Sequence, residues 1–286
     1  MASSNELEHK NLYKHYVPSG IAATVVAILF LILTVAHVWK VLTTKRWFAL
    51  TIIAGGLFEF IGLAARAYSS RHLSDKGPFI IQVLLILLAP IIFSATIYMF
   101  LSRLINASKH PQLSLIRVRL LTVTFVGGDI FCFLVQAAGG GTIVNATTPA
   151  KIKSGQNLVL GGIALQVILF CFFAVTAAVF HVRISKRRFD RILTPGLHLN
   201  AMLFSLYLCS ALITVRNIYR LIEYAGGETS YLQTHDWPTY GLDVGLMAVL
   251  MIVTLMWYFA DTKGEHYNDT GAYTLRPVYP IPHVRG

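Results

Sequence analysis

Residues 79–101 read FIIQVLLILLAPIIFSATIYMFL, and they indicate the class of fold. They run for 23 residues without a charged side chain. About 20 apolar residues in a helix are enough to cross the hydrocarbon core of a bilayer. The stretch therefore predicts a transmembrane helix. We expect a kink at Pro90, because a proline leaves the carbonyl of Ile86 without its helical donor.

Six further stretches have the same character, so the chain is predicted to be an all-α membrane protein with a seven-helix bundle. The predicted spans are 20–38, 47–68, 79–101, 121–143, 157–181, 198–222 and 239–261. We expect a single transmembrane domain over 20–261, preceded by a polar leader (1–19) and followed by a flexible tail (262–286). The run Gly139–Gly141 is expected to end or unwind the fourth helix.

The composition of the whole chain agrees with this class. Hydrophobic residues make up 55% and charged residues 13%, whereas soluble domains carry about 25% charged residues. These values exclude a soluble enzyme, and we predict no nucleic-acid partner in spite of the net charge of +11. Membrane proteins instead concentrate Lys and Arg in their cytoplasmic loops.

The distribution of Lys and Arg predicts the orientation. The loops after spans one, three and five, together with the tail, hold 15 of these residues, and the opposite side holds six. The N-terminus is therefore expected outside and the C-terminus in the cytoplasm. A glycosylation sequon begins at Asn145 on the predicted outer side, and those at Asn106 and Asn268 fall on the inner side. Four tryptophans at span ends are expected to form an aromatic belt: Trp39, Trp47, Trp237 and Trp257.

Ten polar side chains lie within the spans or at their ends, and they form our candidate substrate-binding site. Ionisable groups inside a membrane usually face the bundle interior and often mark substrate pathways. The ten are Glu59, Arg66, Gln82, Asp129, Gln136, Gln166, Arg216, Arg220, Glu223 and Asp243. Their acids exceed their arginines by one, so we expect most of the charges to pair. Most of the ionisable groups fall in the outer half, which predicts a polar interior that opens toward the outer leaflet.

Simpler explanations remain open for several of these residues. The three arginines lie near span ends, where they could extend to the lipid head groups. Arg220 and Glu223 are three residues apart and could form a local ion pair at the interface. Glu59 and Asp129 lie too deep in the membrane, and their side chains are too short, to reach the surface. They therefore either make buried hydrogen bonds or have a functional role.

Several kinds of catalytic and cofactor sites have no counterpart in the sequence. There is no P-loop, no H-E-x-x-H zinc site and no G-x-S-x-G nucleophile, and the three cysteines lie inside apolar runs. We therefore predict no metal, no cofactor and no enzymatic activity. An intramembrane enzyme that uses the carboxylates as acid and base is a weaker hypothesis.

A set of short segments, in this order, resembles the fungal lipid-translocating exporter family. Its members are seven-span proteins associated with 7-aminocholesterol resistance and with the release of sphingoid long-chain bases. The matching segments are Tyr16–Ser19, Glu59–Gly62, Arg66, Gln82, Leu88–Pro90, Tyr98, Gly128–Asp129, Gln136–Gly141, Gly161–Gly162, Gln166, Arg216–Tyr224, Gly227, His235–Trp237, Tyr240 and Asp243. Asp236 departs from the pattern, because the family usually has the longer Glu there. The segment 261–264 also departs, since members often have His-Pro-Gly after the last span. The resemblance implies an integral protein of the plasma membrane or an endomembrane that handles amphiphilic lipids.

The first functional hypothesis is a protein that translocates or exports amphiphilic lipids, such as sphingoid long-chain bases or sterol-like amphiphiles, through a polar cavity in the seven-helix bundle. A sphingoid base has an ammonium head, hydroxyl groups and one long tail. Glu59, Asp129 and Asp243 could receive the ammonium and Gln136 and Gln166 the hydroxyls, while the tail stays among membrane lipids.

The alternative hypothesis is a receptor-like regulator of lipid asymmetry or stress that moves no lipid itself. Seven spans with an outer N-terminus are also the topology of signalling receptors. The basic 5–6 loop, which holds Lys186, Arg187, Arg188 and Arg191, could contact a cytoplasmic partner. Anionic lipid at the membrane surface is the simpler interpretation of that loop.

Overall fold

The structure is a computed structural model, and every regular element in the part of the chain that it describes is helical. The described residues are 19–72, 75–108, 111–186, 199–226 and 230–258. The predicted tail, nearly all of the leader and most of the basic 5–6 loop lie outside them.

Seven helices are long and apolar enough to cross a membrane, which confirms the prediction of seven spans. They are α1 (Gly20–Thr44), α2 (Leu50–Ser69), α3 (Lys76–Ala107), α4 (Val118–Val144), α5 (Pro149–Ser185), α6 (Leu199–Ala225) and α7 (Asp236–Tyr258). Short 3-10 turns, Trp47–Ala49 and Pro111–Leu113, precede α2 and α4, and the helical turn Tyr231–Thr234 precedes α7.

Local signals account for the helix ends. The side chain of Ser19 caps α1 by accepting from the amide of Ala22. Lys45 ends the same helix in the left-handed conformation, with φ of 54°. Pro149 occupies the first turn of α5, where its missing N–H removes no helical hydrogen bond. Several helices run past the predicted ends, and the 37 residues of α5 give about 55 Å at 1.5 Å per residue.

Helices that follow one another in the chain pack side by side, and α7 closes the bundle against α6 and α1. The third helix also packs on α6, so it lies nearest the centre and is the most buried of the seven. Most of the polar site residues are on α2, α3, α6 and α7. Large apolar side chains that point away from the bundle, such as Val123, Ile168 and Phe204, form the surface that faces lipid.

The prediction that Gly139–Gly141 ends or unwinds the fourth helix is wrong, because α4 continues to Val144. Gly139 serves packing instead. A Cβ at this position would lie 2.8 Å from the carbonyl oxygen of Gly155 and 2.8 Å from a methyl carbon of Val159 on α5. Small residues let two helices approach closely in a membrane, and here they join α4 to α5.

We expect Gly139→Ala to destabilise the α4–α5 pair by about 1–3 kcal/mol, since overpacking of a tight contact costs that much. Gly140→Ala is the matched control, because no atom lies within 4 Å of a Cβ at Gly140. It should leave the stability unchanged or raise it by up to about 1 kcal/mol. Thermal unfolding of both variants in detergent checks this, and equal melting temperatures would contradict it.

Trp257 does not belong to an aromatic belt, so the prediction is wrong for this residue. It is 2% exposed, its indole N–H donates to Ser205 Oγ at 2.9 Å, and its ring stacks on Phe100 at 3.8 Å. The other three tryptophans are exposed at the helix ends as expected. Trp257 therefore stabilises the contact of α7 with α3 and α6.

Candidate substrate-binding site in the bundle interior

The ten predicted site residues all face the interior of the bundle. Nine are buried, and the side chain of the tenth, Arg220, is 13% exposed. An arginine that extended to the lipid head groups would leave the protein interior, so this alternative is wrong for the three arginines. The ten residues separate into an ion network, two acidic positions and a set of glutamines.

The ion network joins α6 to α7 through Asp243. Its Oδ1 atom lies 2.6 Å from Arg216 Nε, which makes an ion pair. Its Oδ2 atom accepts from Arg220 Nη2. Arg220 Nη1 in turn donates to Glu223 Oε2 at 3.0 Å. The Arg220–Glu223 pair is therefore no isolated interface contact but part of a buried network of two cations and two anions.

Asp243 lies in an irregular part of α7, the π-helical segment Thr239–Gly245. A π-helical turn holds more residues than an α-helical turn, and such segments are frequent at functional sites. Gly245 suits this geometry, because a Cβ there would lie 2.8 Å from the carbonyl oxygen of Tyr240. The segment places one carboxylate against two arginines that are one turn apart on α6.

Pro90 is linked to the network through a main-chain carbonyl. The helix α3 continues through Pro90, and the proline has no N–H to donate to Ile86. Arg216 Nη2 donates to this Ile86 carbonyl at 3.3 Å. The carbonyl that the sequence predicts to lack its helical donor therefore receives one from α6.

This contact predicts a coupling between Pro90 and Arg216. Pro90→Ala restores an N–H four residues after Ile86, so the carbonyl can be satisfied inside α3. We expect Arg216→Lys to lower the free energy of unfolding by about 0.5–1.5 kcal/mol less in the Pro90→Ala background than in the wild type. A double-mutant cycle of unfolding free energies measures the difference. A coupling energy of zero would show that the contact contributes nothing.

A second ion pair closes the same end of the bundle. Arg66 Nη2 donates to Asp236 Oδ1 at 3.0 Å, and the backbone N–H of Ser19 donates to Asp236 Oδ2 at 2.7 Å. The guanidinium of Arg66 also lies over the ring of Tyr240, at 5.7 Å from its centroid. Asp236 is not among the ten candidate site residues, because it falls outside the predicted spans. The His235–Trp237 segment of the resemblance was the available signal, and the shorter Asp reaches both partners.

Glu59 on α2 differs from these paired acids. It is 1% exposed, and its Oε2 atom has no hydrogen-bond partner. The charges of Asp243, Arg216 and Arg220 act on it. No described arginine, lysine or histidine lies within ion-pair distance of its carboxylate, because the nearby arginines are engaged by Asp243.

Asp129 on α4 is the second acid with a free oxygen. Tyr98 donates its hydroxyl to Asp129 Oδ2 at 2.9 Å, while Oδ1 has no partner. The Tyr98 ring packs against Phe173 at 4.6 Å, Phe125 at 5.3 Å and Phe170 at 6.1 Å between centroids. Aromatic rings beside a carboxylate are typical surroundings for an ammonium group.

Two of the three glutamines contact each other. Gln136 on α4 donates through Nε2 to Gln166 Oε1 on α5 at 3.0 Å. A Cβ at Gly162 would lie 2.6 Å from the Gln136 side chain, so this glycine makes room for the pair. Gln82 is buried on α3. The structure thus brings Gln136 and Gln166 together, as a pair that joins α4 to α5.

The charge balance of the interior defines what the site can accept. The three arginines pair with Asp236, Glu223 and Asp243. Among the buried described acids, Glu59 and Asp129 remain without a cationic partner. A buried carboxylate is expensive unless a proton or a cation neutralises it. The described residues contain no group of three His, Cys, Asp or Glu side chains that could hold a metal ion.

Seven apolar helices around buried, largely paired charges define an integral membrane protein with a polar interior. Residues 52–263 match the model of the family described as "RTA1 like protein". The chain belongs to this family, which confirms the resemblance seen in the sequence.

The chain is similar to several proteins of the yeast Saccharomyces cerevisiae. The chain is 31% identical over 275 residues to Protoporphyrin uptake protein 1, and the aligned region covers 83% of this chain and 89% of that protein. It is 32% identical over 227 residues to Protein RTM1, with coverage of 77% and 71%. It is 26% identical over 308 residues to Sphingoid long-chain base transporter RSB1 of strain YJM789, with coverage of 96% and 80%. No solved structure matches the chain.

Proposed function

We propose that this protein translocates amphiphilic lipids with a cationic head group, sphingoid long-chain bases above all, across the plasma membrane. The observation that carries the proposal is the pair of buried acids, Glu59 and Asp129, each with a carboxylate oxygen that has no partner. An ammonium group supplies the missing charge and the missing donors at either position. The relative named as a sphingoid long-chain base transporter supports the same substrate class.

The paired residues have a different part in this proposal. Asp243 engages Arg216 and Arg220, which keeps both guanidiniums away from Glu59 and leaves that carboxylate for the substrate. A hydroxyl of the substrate would exchange with the Gln136–Gln166 hydrogen bond. The single hydrocarbon tail stays in the bilayer between the helices, where it loses no contact with lipid.

The protein is expected to be oriented with its N-terminus outside, and Asn145 offers a test. Asn145 is exposed at the end of α4, and its amide donates to the Gly141 carbonyl at 3.0 Å. After expression in a fungal host, we expect one endoglycosidase-sensitive shift in mass, lost in Asn145→Gln and kept in Asn106→Gln. A shift that survives Asn145→Gln would contradict the orientation.

Purified protein in liposomes tests the function. We expect faster transbilayer movement of a fluorescent sphingoid base than in empty liposomes, and no change for a fluorescent phosphatidylcholine of similar tail length. The phospholipid is the matched control, because it has a tail and a head group but no net positive charge. If folded protein moves neither lipid, the transporter proposal is wrong and the receptor-like regulator takes its place.

A further inference from the structure

The end of the bundle opposite the ion network is basic. Eight described basic residues lie at this end, on the closing turns of α1, α3 and α5, in the loop after α1 and at the start of α4. They are Lys40, Lys45, Arg46, Arg103, Arg117, Arg119, Arg183 and Lys186. None of the six described acids lies there. This end, called the basic end below, therefore has a strong positive charge within the described part of the chain.

Two of these arginines, Arg46 and Arg103, each contact an aromatic residue of the bundle. The guanidinium of Arg103 on α3 lies over the ring of Phe48, 4.5 Å from its centroid. Arg46 lies two residues before Phe48, and its Nη1 donates to the carbonyl of Trp257 at 2.6 Å. Trp257 is itself fixed by stacking on Phe100, one turn before Arg103. Each arginine is thus positioned by a separate contact with the rigid bundle.

The position of the pair indicates which anion it meets. Trp47, adjacent to Arg46, is 63% exposed, and exposed tryptophans at helix ends lie at the level of the lipid head groups. The planar donors of a guanidinium match the oxygens of a phosphate, and an arginine that already bonds a carbonyl still has further donors. Basic sites between transmembrane helices bind anionic lipid head groups.

We propose that Arg46 and Arg103 form a binding site for the phosphate of an anionic phospholipid in the leaflet at the basic end. The aromatic side chains of Trp47 and Phe48 lie beside the glycerol and the upper part of the tails. This site is separate from Glu59 and Asp129, so it does not depend on the proposed transport function.

Native mass spectrometry of the detergent-purified full chain tests the site. Phosphatidylserine or phosphatidylcholine is added, and the fraction of protein that retains one lipid is measured. We expect preferential retention of phosphatidylserine. Arg103→Gln should weaken it by about fivefold, the factor that corresponds to about 1 kcal/mol for one basic side chain at an anionic surface.

Arg119→Gln is the matched control, because Arg119 is an exposed arginine at the same end outside the pair. It should leave retention unchanged. Arg103→Lys keeps the charge but not the planar donors, so it should give an intermediate loss and also keeps the test valid if Arg103→Gln folds poorly. Equal losses in Arg103→Gln and Arg119→Gln would overturn the site. Displacement of the lipid by an equal concentration of inorganic phosphate would overturn the lipid as its ligand.

Discussion

Replacement of Glu59 by Gln is expected to slow the transbilayer movement of a sphingoid base by at least about tenfold. Glutamine has nearly the same size and shape as the glutamate, so the packing of α2 is kept. What is lost is the negative charge that an ammonium group would meet. Removal of one partner from a buried charge pair costs about 2–5 kcal/mol, which corresponds to tenfold or more. The initial rate in liposomes measures the effect.

Asp75→Asn is the matched control for this change. It also converts a carboxylate to an amide, but Asp75 is exposed at the start of α3, outside the bundle interior. It should transport at the wild-type rate. Equal rates for Glu59→Gln and Asp75→Asn, with both proteins folded, would remove Glu59 from the site.

Among the substitutions proposed here, replacement of Asp243 by Asn is expected to lower the free energy of unfolding most. The change leaves Arg216 and Arg220 buried without the carboxylate that they share. Loss of one partner from a buried ion pair destabilises a protein by about 3–5 kcal/mol. We expect a large drop in the midpoint of thermal unfolding in detergent and reduced accumulation in the membrane.

Glu223→Gln separates the shared carboxylate from a general loss of charge. It removes one acid that contacts Arg220 but leaves Asp243 between the two arginines. The expected loss of stability is smaller, about 1–3 kcal/mol, the cost of a buried group that loses a hydrogen-bond partner. If Glu223→Gln destabilises the protein as much as Asp243→Asn, the shared carboxylate is not what holds the network together.

Much of the fold could be predicted from the sequence, because a transmembrane span is a property of one contiguous segment. The seven spans and the inward direction of the ten polar residues depend only on hydropathy and on the cost of charge in lipid. The predictions for Gly139 and Trp257 are wrong for the opposite reason. Whether a glycine breaks a helix or packs against another, and whether a tryptophan faces lipid or the interior, depends on the neighbouring helix.

The sequence also does not predict which charged residues of the site pair with each other. The near balance of charge predicted that most groups pair, but the choice of partners depends on how α6 and α7 rotate against each other. The π-helical segment around Asp243 changes that rotation, and no residue pattern in the sequence predicts this segment. The acceptor of Arg216 on α3 is a main-chain carbonyl, which charge counting cannot find. Asp236 lies outside the predicted spans, so a site predicted from polar residues within the spans does not include it.

A comparison of the wild type with a Glu59→Gln, Asp129→Asn double variant in liposomes decides whether these two carboxylates receive the cationic head group. Both substitutions keep the shape of the side chain, and thermal unfolding shows whether the double variant is folded. The proposal predicts movement of the sphingoid base with the wild type and, with the double variant, no movement above that of empty liposomes. Wild-type rates from a folded double variant would contradict the claim that these two carboxylates receive the cationic head group.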